Sequence, residues 1–129
     1  MTDRIATVTP YLIPAEPVKD QWWARKAYVL VRVQTRDGIV GWGECHLLNF
    51  REDAMVALVN RLAEWLIGRP AHDIRAFMGE AFGQFGQQRP GMEVYSAFAG
   101  IEIALWDILG KRLGVPVHCL LGGACHESI

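Results

Sequence analysis

The sequence predicts an α+β fold in which a three-stranded antiparallel meander packs on a small bundle of three helices. Two observations lead to this prediction. The first third of the 129 residues is rich in β-branched residues grouped around a tight turn, and the rest repeats apolar residues at helical spacing. Strands followed by helices, rather than alternating with them, are typical of an antiparallel sheet with helices packed on it.

The first strand is predicted over residues 5–13, where threonine, valine, tyrosine and isoleucine favour extended backbone. Pro10 indicates an edge strand, because proline has no N–H to donate to a neighbouring strand. Residues 14–26 are predicted to form a loop, which begins with prolines and ends with aromatic and basic residues. This loop connects the first strand to a hairpin.

The hairpin consists of a second strand over residues 28–36 and a third strand over residues 39–45. Asp37-Gly38 between them is a frequent turn pair. A two-residue turn places Trp42 opposite Val33. Because facing residues share one side of a sheet, we expect Trp42 in the core.

Three amphipathic helices are predicted over residues 50–66, 74–85 and 94–113, where apolar residues recur at helical spacing. Asn49, with Glu52 three residues later, has the spacing of a capping box for the first helix. The third helix contains the small residues Ala97, Ala99, Gly100 and Ala104, which indicate close helix contact.

The third helix ends in a sharp stop. Gly114 stands where a helix C-terminus favours a left-handed residue, and Pro116 blocks continuation of the helix. A short exit strand is predicted over residues 115–121, before the paired glycines Gly122-Gly123.

Composition narrows the classes of function. The 13 basic and 14 acidic residues form no block of like charge, so nothing points to nucleic acid or to an anionic membrane. The apolar stretches are far shorter than a membrane span, and the N-terminus lacks the apolar core of a signal peptide. Three cysteines, an odd number, argue against a secreted disulfide framework. We therefore expect a cytoplasmic protein.

A hydrophobic content of 51% and a mean hydropathy of +0.12 are high for a small domain and leave two interpretations open. One is a well-filled core. The other is an apolar surface that something outside this chain covers. Composition alone does not locate such a surface.

Two blocks of sequence carry a family resemblance. VLVRVQTRDGIVGWGE (Val29 to Glu44) and GIEIALWDILGKRLGVPVHCLLGG (Gly100 to Gly123) resemble the N-terminal capping domain of the enolase superfamily, in its mandelate racemase/muconate lactonizing enzyme branch. Their order and spacing also fit that domain. The segment SAFAGIEIALWDILGK is most similar to the acid-sugar dehydratases of this branch. The resemblance implies a fold like the enolase N-terminal domain.

The resemblance also implies what a full-length enzyme would do. A base in a C-terminal barrel abstracts the proton α to a substrate carboxylate, and Mg²⁺ stabilises the enediolate. The family takes the base and the metal ligands from that barrel, which needs about 250 residues and is absent from this chain. No catalytic or metal residue is therefore assigned here, and the chain by itself is expected to be an inactive part of a lyase or isomerase.

In the family, two loops close over the barrel mouth and determine substrate specificity: the loop between the first two strands and the loop after the third. The matching candidates here are Trp22, Trp23, Arg25, Lys26, His46, Leu48 and Asn49, with Leu47 and Phe50 in the same second loop. Plainer roles remain open for them. One tryptophan can pack in the core, and a histidine at a strand end can be an ordinary hydrogen-bonding group.

Three further residues are expected to have structural roles where the cap meets the barrel: Glu44, Trp106 and Asp107. Glu44 ends the third strand on the predicted core face, where a carboxylate needs partners. Asp107 with Lys111 is an ordinary i,i+4 helix ion pair. The Cys-His neighbours lack the spacing of a zinc site.

Two functions are therefore open. The first is the capping domain of a Mg²⁺-dependent dehydratase or racemase, whose partners are its own barrel and a small carboxylate substrate such as an acid sugar. The second is a non-catalytic module that stands alone and associates with itself. We expect a homo-oligomer in either case.

Overall fold

The computed structural model describes residues 3–16, 26–86 and 91–126. The described part has two layers, a three-stranded sheet and a layer of helices on one face of it. The α+β fold predicted from the sequence is confirmed. Within the described ranges, no helix combines the length and the apolar character that a membrane span requires.

The sheet is a meander in the order β1-β2-β3, with each strand antiparallel to the next. The strands are β1 (Ile5–Ile13), β2 (Tyr28–Thr35) and β3 (Val40–Cys45). Buried and half-buried residues alternate along β2. Because side chains alternate between the two faces of a strand, this pattern directs the valines of β2 towards the helices.

Four helices lie in the described ranges: α1 (Glu52–Leu66), α2 (Ile74–Ala81), α3 (Met92–Leu113) and α4 (Val117–Leu120). The chain continues from α2 into one π-helical turn. The core lies between the sheet and α1, α2 and α3. Its largest fully buried side chains include Phe98, Ile5, Met55, Leu66, Ile101, Leu105 and Ile108.

The hairpin register differs from the prediction. The turn between β2 and β3 has three residues, because the Thr35 N–H donates to the Ile39 carbonyl at 2.9 Å. Gly38 closes the turn with a φ of 92°, which glycine adopts without steric cost. Trp42 consequently faces Arg32 rather than Val33. The predicted core position of Trp42 is wrong, since one extra turn residue moves each side chain to the other face.

Glycines now occupy the core face of β3, and they let α3 pack directly on the strand backbone. A Cβ at Gly41 would lie 2.0 Å from the Ala104 carbonyl oxygen, and one at Gly43 would lie 1.9 Å from the Gly100 carbonyl oxygen. A Cβ at Gly100 would in turn lie 2.4 Å from Cys45 Sγ. The small residues of the third helix therefore serve contact with the sheet.

Polar side chains of α3 cover the free edge of β3. The Trp42 N–H donates to Asp107 Oδ2 at 2.9 Å, and Lys111 Nζ donates to the Val40 carbonyl at 2.8 Å. Lys111 Nζ also pairs with Asp107 at 2.7 Å, which confirms the predicted ion pair. These contacts satisfy backbone groups that an open edge would expose.

The predicted exit strand over residues 115–121 is wrong. Gly114 ends α3 with a φ of 68°, as expected for a left-handed cap. After it, Val117–Leu120 forms the helical turn α4, in which the Cys119 N–H donates to the Pro116 carbonyl at 3.0 Å. A strand needs a partner backbone, and α3 already covers the nearby edge of β3. Local helical bonds satisfy this segment instead.

A polar cluster ties the hairpin turn to the end of α3. The Asp3 side chain is almost fully buried, and Arg112 Nε lies 3.0 Å from its Oδ2. The same guanidinium pairs with Asp37 at 2.6 Å. Asp37 also accepts a hydrogen bond from the Thr35 hydroxyl at 2.5 Å. The Thr35 bond, and then the bond from Arg112, lower the pKa of the Asp37 carboxyl below its usual value.

Candidate functional site

The two loops singled out in the sequence leave the sheet at one end. Ile13 pairs with Tyr28, and Val29 pairs with Cys45, so the end of β1, the start of β2 and the end of β3 lie side by side. The three-residue hairpin turn lies at the opposite end. The antiparallel order of the meander therefore brings the segments after β1 and after β3 together.

Most of the first-loop candidates lie outside the described residues. These are Trp22, Trp23 and Arg25. Lys26 is described and exposed, and its Nζ lies 5.2 Å from the centre of the Tyr28 ring. A cation at this distance over an aromatic face is attracted to it. Lys26 thus places a positive charge beside the first residue of β2.

The second loop, residues 46–51, joins β3 to α1 and is mostly exposed. His46 and Leu48 are exposed, while Asn49 is half-buried. Phe50 is 64% exposed and has a φ of 65°. Leu47 instead packs against the core, which anchors the middle of the loop.

The predicted capping box at Asn49 is wrong. Helix α1 begins at Glu52, and Arg51 is the residue that precedes its first turn, without a side-chain hydrogen bond to the helix end. The Arg51 N–H donates to the Leu48 carbonyl at 3.3 Å, so a β-turn occupies the cap position. Asn49 stands inside this turn, two residues before the N-cap position.

The second loop contacts the start of α3 through an ion pair. Arg51 Nη1 pairs with Glu93 Oε1, and Glu93 lies in the first turn of the helix. A carboxylate in this position also interacts favourably with the positive end of the helix dipole. The pair joins residues that are 42 positions apart in the sequence.

The loop begins beside a buried thiol. Cys45 is 1% exposed, and burial, with a smaller contribution from the charge of Glu44, raises the pKa of its thiol to about 12. The thiol therefore remains protonated near neutral pH and does not act as a nucleophile. Its contact with Gly100 makes it a packing residue.

A metal site does not fit the described side chains. In residues 3–16, 26–86 and 91–126, no three His, Cys, Asp or Glu side chains come together as a cation would require. The described loop candidates offer one imidazole and one ammonium group, both exposed, and the half-buried amide of Asn49. Such groups can bind hydroxyl or carboxylate oxygens directly.

The three residues with expected structural roles occupy different places. Glu44 is exposed on the outer face of the sheet, opposite Leu30, so its expected position on the core face is wrong for the same register reason as Trp42. Trp106 is half-buried, and its Nε1 donates to Glu102 at 3.3 Å. Asp107 bonds to the edge of β3, within the domain.

A cleft that the sequence does not reveal lies near the other end of the sheet, beside Ile5. Its volume is about 200 Å³, and its floor includes the buried side chains of Leu66, Phe77 and Leu105. The ion pair between Arg69 and Glu80, at 2.6 Å, lies in its wall. Apolar periodicity predicts these residues as core, and no motif marks the gap between them.

Comparison with known proteins gives a consistent result. The family described as "Mandelate racemase / muconate lactonizing enzyme, N-terminal domain" matches residues 5–122. D-galactonate dehydratase of Pectobacterium atrosepticum is 36% identical over 126 residues, which are 98% of this chain and 30% of that protein. D-galactarolactone cycloisomerase of Agrobacterium fabrum is 44% identical over 108 residues, which are 81% of this chain and 27% of that protein.

Solved structures agree with the sequence comparison. A putative dehydratase from Zymomonas mobilis ZM4 superposes with a TM-score of 0.85 at 29% identity, over 97% of this chain and 31% of that one. A mandelate racemase/muconate lactonizing enzyme from Sulfitobacter sp. superposes with a TM-score of 0.78 at 35% identity, over the same shares. This chain spans about three tenths of the length of these relatives. It belongs to the mandelate racemase/muconate lactonizing enzyme family of the enolase superfamily, of whose enzymes it represents the N-terminal domain.

Proposed function

We propose that this chain caps the substrate pocket of an enzyme that acts on a sugar acid. The observation that carries the proposal is the placement of both loops at one end of the sheet. This end presents a cation at Lys26, an imidazole at His46 and an amide at Asn49, next to the apolar side chains of Leu48 and Phe50. Specific pockets commonly combine a few polar groups with an apolar lining.

The proposed substrate is a hydroxyl-rich carboxylate. Lys26 supplies positive charge for a carboxylate, and Arg25, which lies outside the described residues, is a second candidate for that role. His46 and Asn49 supply donors and acceptors for hydroxyl groups. The names of two relatives, D-galactonate dehydratase and D-galactarolactone cycloisomerase, support a sugar acid or its lactone as the substrate class.

The chemistry is proposed to come from a barrel domain of the same protein. The resemblance implies a base that abstracts the proton α to the carboxylate, and Mg²⁺ that stabilises the resulting charge. The described residues of this chain do not fit the metal, so no step is assigned to them. Their proposed contribution is to bind the substrate, orient it and exclude water.

Helix α3 and the segment after it provide a surface that such a barrel could cover. The exposed apolar side chains along them include Ile103, Leu113, Val115 and Leu121. The opposite side of α3 is fully buried against the sheet. A helix that is apolar on both sides usually has a packing partner on each side.

A domain exchange tests the capping proposal. Residues 1–126 of this chain would replace the matching N-terminal region of the Pectobacterium D-galactonate dehydratase. We expect a folded hybrid that dehydrates D-galactonate, and His46→Ala and Asn49→Ala should raise its KM more than they lower its kcat. A folded, active hybrid with an unchanged KM in both variants would contradict the proposal. Arg61→Ala, on the exposed side of α1, is the matched control.

The outer face of the sheet favours self-association as a second role. Tyr11, Ile13 and Trp42 are 45%, 46% and 42% exposed there, and the Tyr11 and Trp42 rings lie 5.6 Å apart. A second copy of the chain could cover this face, as a homo-oligomer requires. Sedimentation velocity tests the idea, because Trp42→Lys should shift a dimer to monomer. A parent chain that is monomeric at high concentration would rule it out.

A further inference from the structure

The backbone of the second loop contains one residue in a rarely populated conformation. Phe50 is the third residue of the Leu48–Arg51 turn and has a φ of 65°. A positive φ at this position is the pattern of a type II turn, which normally requires glycine or asparagine there. A large aromatic residue holds such a conformation only where the surrounding structure enforces it.

An ion pair connects this turn to the start of α3. Arg51, the last residue of the turn, pairs with Glu93 in the first turn of the helix. The Glu93 side chain is 24% exposed and that of Arg51 is 51% exposed, so the carboxylate is the better enclosed partner. Helix α3 is held rigidly against the sheet, and the pair therefore links a strained turn to a fixed element.

The Glu93 carboxylate lies close to the backbone of Gly91. Its Oε2 lies 2.8 Å from the place where a Cβ on Gly91 would be. Gly91 precedes the first residue of α3 and has a φ of −70°, so its backbone accepts other residues. The absence of a side chain at this position leaves the space into which the carboxylate folds.

We propose that the Arg51–Glu93 pair is a latch that holds the Leu48–Arg51 turn and so positions Phe50 at the mouth of the substrate pocket. The positioning of Phe50 relative to substrate rests on the capping function proposed above. The latch itself does not, because it concerns contacts within this chain. Arg51 and Glu93 are positioning residues, and the ring that they aim is the group expected to meet the ligand.

Amide hydrogen exchange on this 129-residue chain tests the latch without any assay of activity. The reporter is the Arg51 amide, which donates to the Leu48 carbonyl. Glu93→Gln removes the charge and leaves the sequence of the loop unchanged. We expect the Arg51 amide to exchange roughly threefold faster in this variant, the range typical of a partly exposed ion pair. An unchanged rate would overturn the proposal.

Two further variants separate the latch from a general loss of stability. Glu64→Gln removes the Arg61–Glu64 pair, which has the same chemistry on the exposed surface of α1, and should leave the Arg51 amide unchanged. Gly91→Ala keeps both charges, and the flexible end of the Glu93 side chain can move aside from the new Cβ, so this variant should accelerate exchange less than Glu93→Gln does. Acceleration in Glu64→Gln equal to that in Glu93→Gln would overturn the latch.

A charge exchange provides the rescue test. Arg51→Glu and Glu93→Arg each break the pair, whereas the double variant restores it with reversed polarity. After correction for the intrinsic rate of the new residue, exchange in the double variant should be slower than in either single variant. Additive effects of the two substitutions would contradict a direct interaction.

The functional part has a separate readout. In the sugar-acid enzyme that carries this cap, Glu93→Gln should raise the KM for the sugar acid by roughly the same factor as it accelerates exchange and leave kcat nearly unchanged. Faster exchange with an unchanged KM would keep the latch and reject the capping role. Unchanged exchange with an altered KM would reject the latch and keep the capping role.

Discussion

The contact between α3 and β3 and the loop after β3 adjoin each other, yet they are built on opposite principles. In the first, glycines bring two backbones so close that a single methyl group has no space. In the second, exposed side chains stand on a strained turn that a partly exposed ion pair tethers. The first region tolerates almost no change of volume, and the second is free to vary in chemistry. A rigid body thus carries an adaptable end, which is the arrangement that a substrate cap needs.

The largest expected effect is at the rigid contact. Gly43→Ala places a Cβ 1.9 Å from the Gly100 carbonyl, so α3 must move away from the sheet. We expect the free energy of unfolding to fall by about 3 kcal/mol, the upper part of the range for overpacked cores. Urea denaturation followed by circular dichroism measures it.

Gly79→Ala is the matched control for that substitution. Gly79 lies inside α2 with open space around it, and alanine has the higher helix propensity. The free energy of unfolding should rise by about 0.5–1 kcal/mol. Equal effects at the two glycines would mean that the close approach of α3 to β3 has no energetic weight.

A smaller loss is expected where α3 covers the edge of β3. Asp107→Ala removes the acceptor of the Trp42 N–H and the partner of Lys111. One hydrogen bond to a charged group is worth about 1.5 kcal/mol, and we expect the free energy of unfolding, measured by urea denaturation, to fall by about that amount. Glu64→Ala, which removes only an exposed pair on α1, should change stability by less than about 0.5 kcal/mol. A larger loss of stability in Glu64→Ala than in Asp107→Ala would contradict the role of Asp107 in covering the edge of β3.

A substitution in the loop after β3, residues 46–51, should not lower stability as the preceding substitutions do. Phe50→Asn puts a residue that tolerates a positive φ into the strained position and removes an exposed ring. Stability should stay within about 0.5 kcal/mol of the parent or rise, because strain is relieved. In the hybrid with the Pectobacterium D-galactonate dehydratase, the capping proposal predicts that the same substitution raises KM. A marked loss of stability would show that the ring serves packing rather than substrate.

The smallest expected effect is a pH dependence at the hairpin turn. Bonds from Thr35 and then Arg112 lower the pKa of the Asp37 carboxyl below its ordinary value. A carboxyl with a lower pKa in the folded state stabilises the fold above its unfolded pKa, and this contribution disappears as pH falls through the folded value. Asp37→Asn should therefore lower Tm at pH 7 and lower it less at pH 3, because the contribution shrinks once pH is below the unfolded pKa. An equal loss at both pH values would contradict the linkage.

The sequence was sufficient for the fold class and for the end of α3 at Gly114, because both depend on local patterns. It misplaced Trp42 and Glu44, because the length of the turn at Asp37-Gly38 decides the register and a three-residue turn also fits that dipeptide. The exit strand failed for a different reason. Whether residues 115–121 form a strand depends on a free neighbouring edge, which α3 covers.

The candidate site also has one part that the sequence could predict and one part that it could not. The resemblance located the second loop, but no local pattern indicated a strained Phe50 or a pair between Arg51 and Glu93. The two charges are 42 residues apart, and their meeting is a result of tertiary packing. Trp22 and Trp23 lie outside the described residues, so their role stays a prediction.

Hydrogen exchange in the hybrid of this chain with the Pectobacterium D-galactonate dehydratase, with and without D-galactonate, tests the central claim most directly. The claim is that the loop end of the sheet meets the substrate and that the hairpin end does not. We predict that ligand slows exchange in residues 46–51 and leaves residues 36–38 unchanged. Slower exchange of residues 36–38 on ligand binding, or no change in the exchange of residues 46–51, would contradict this claim.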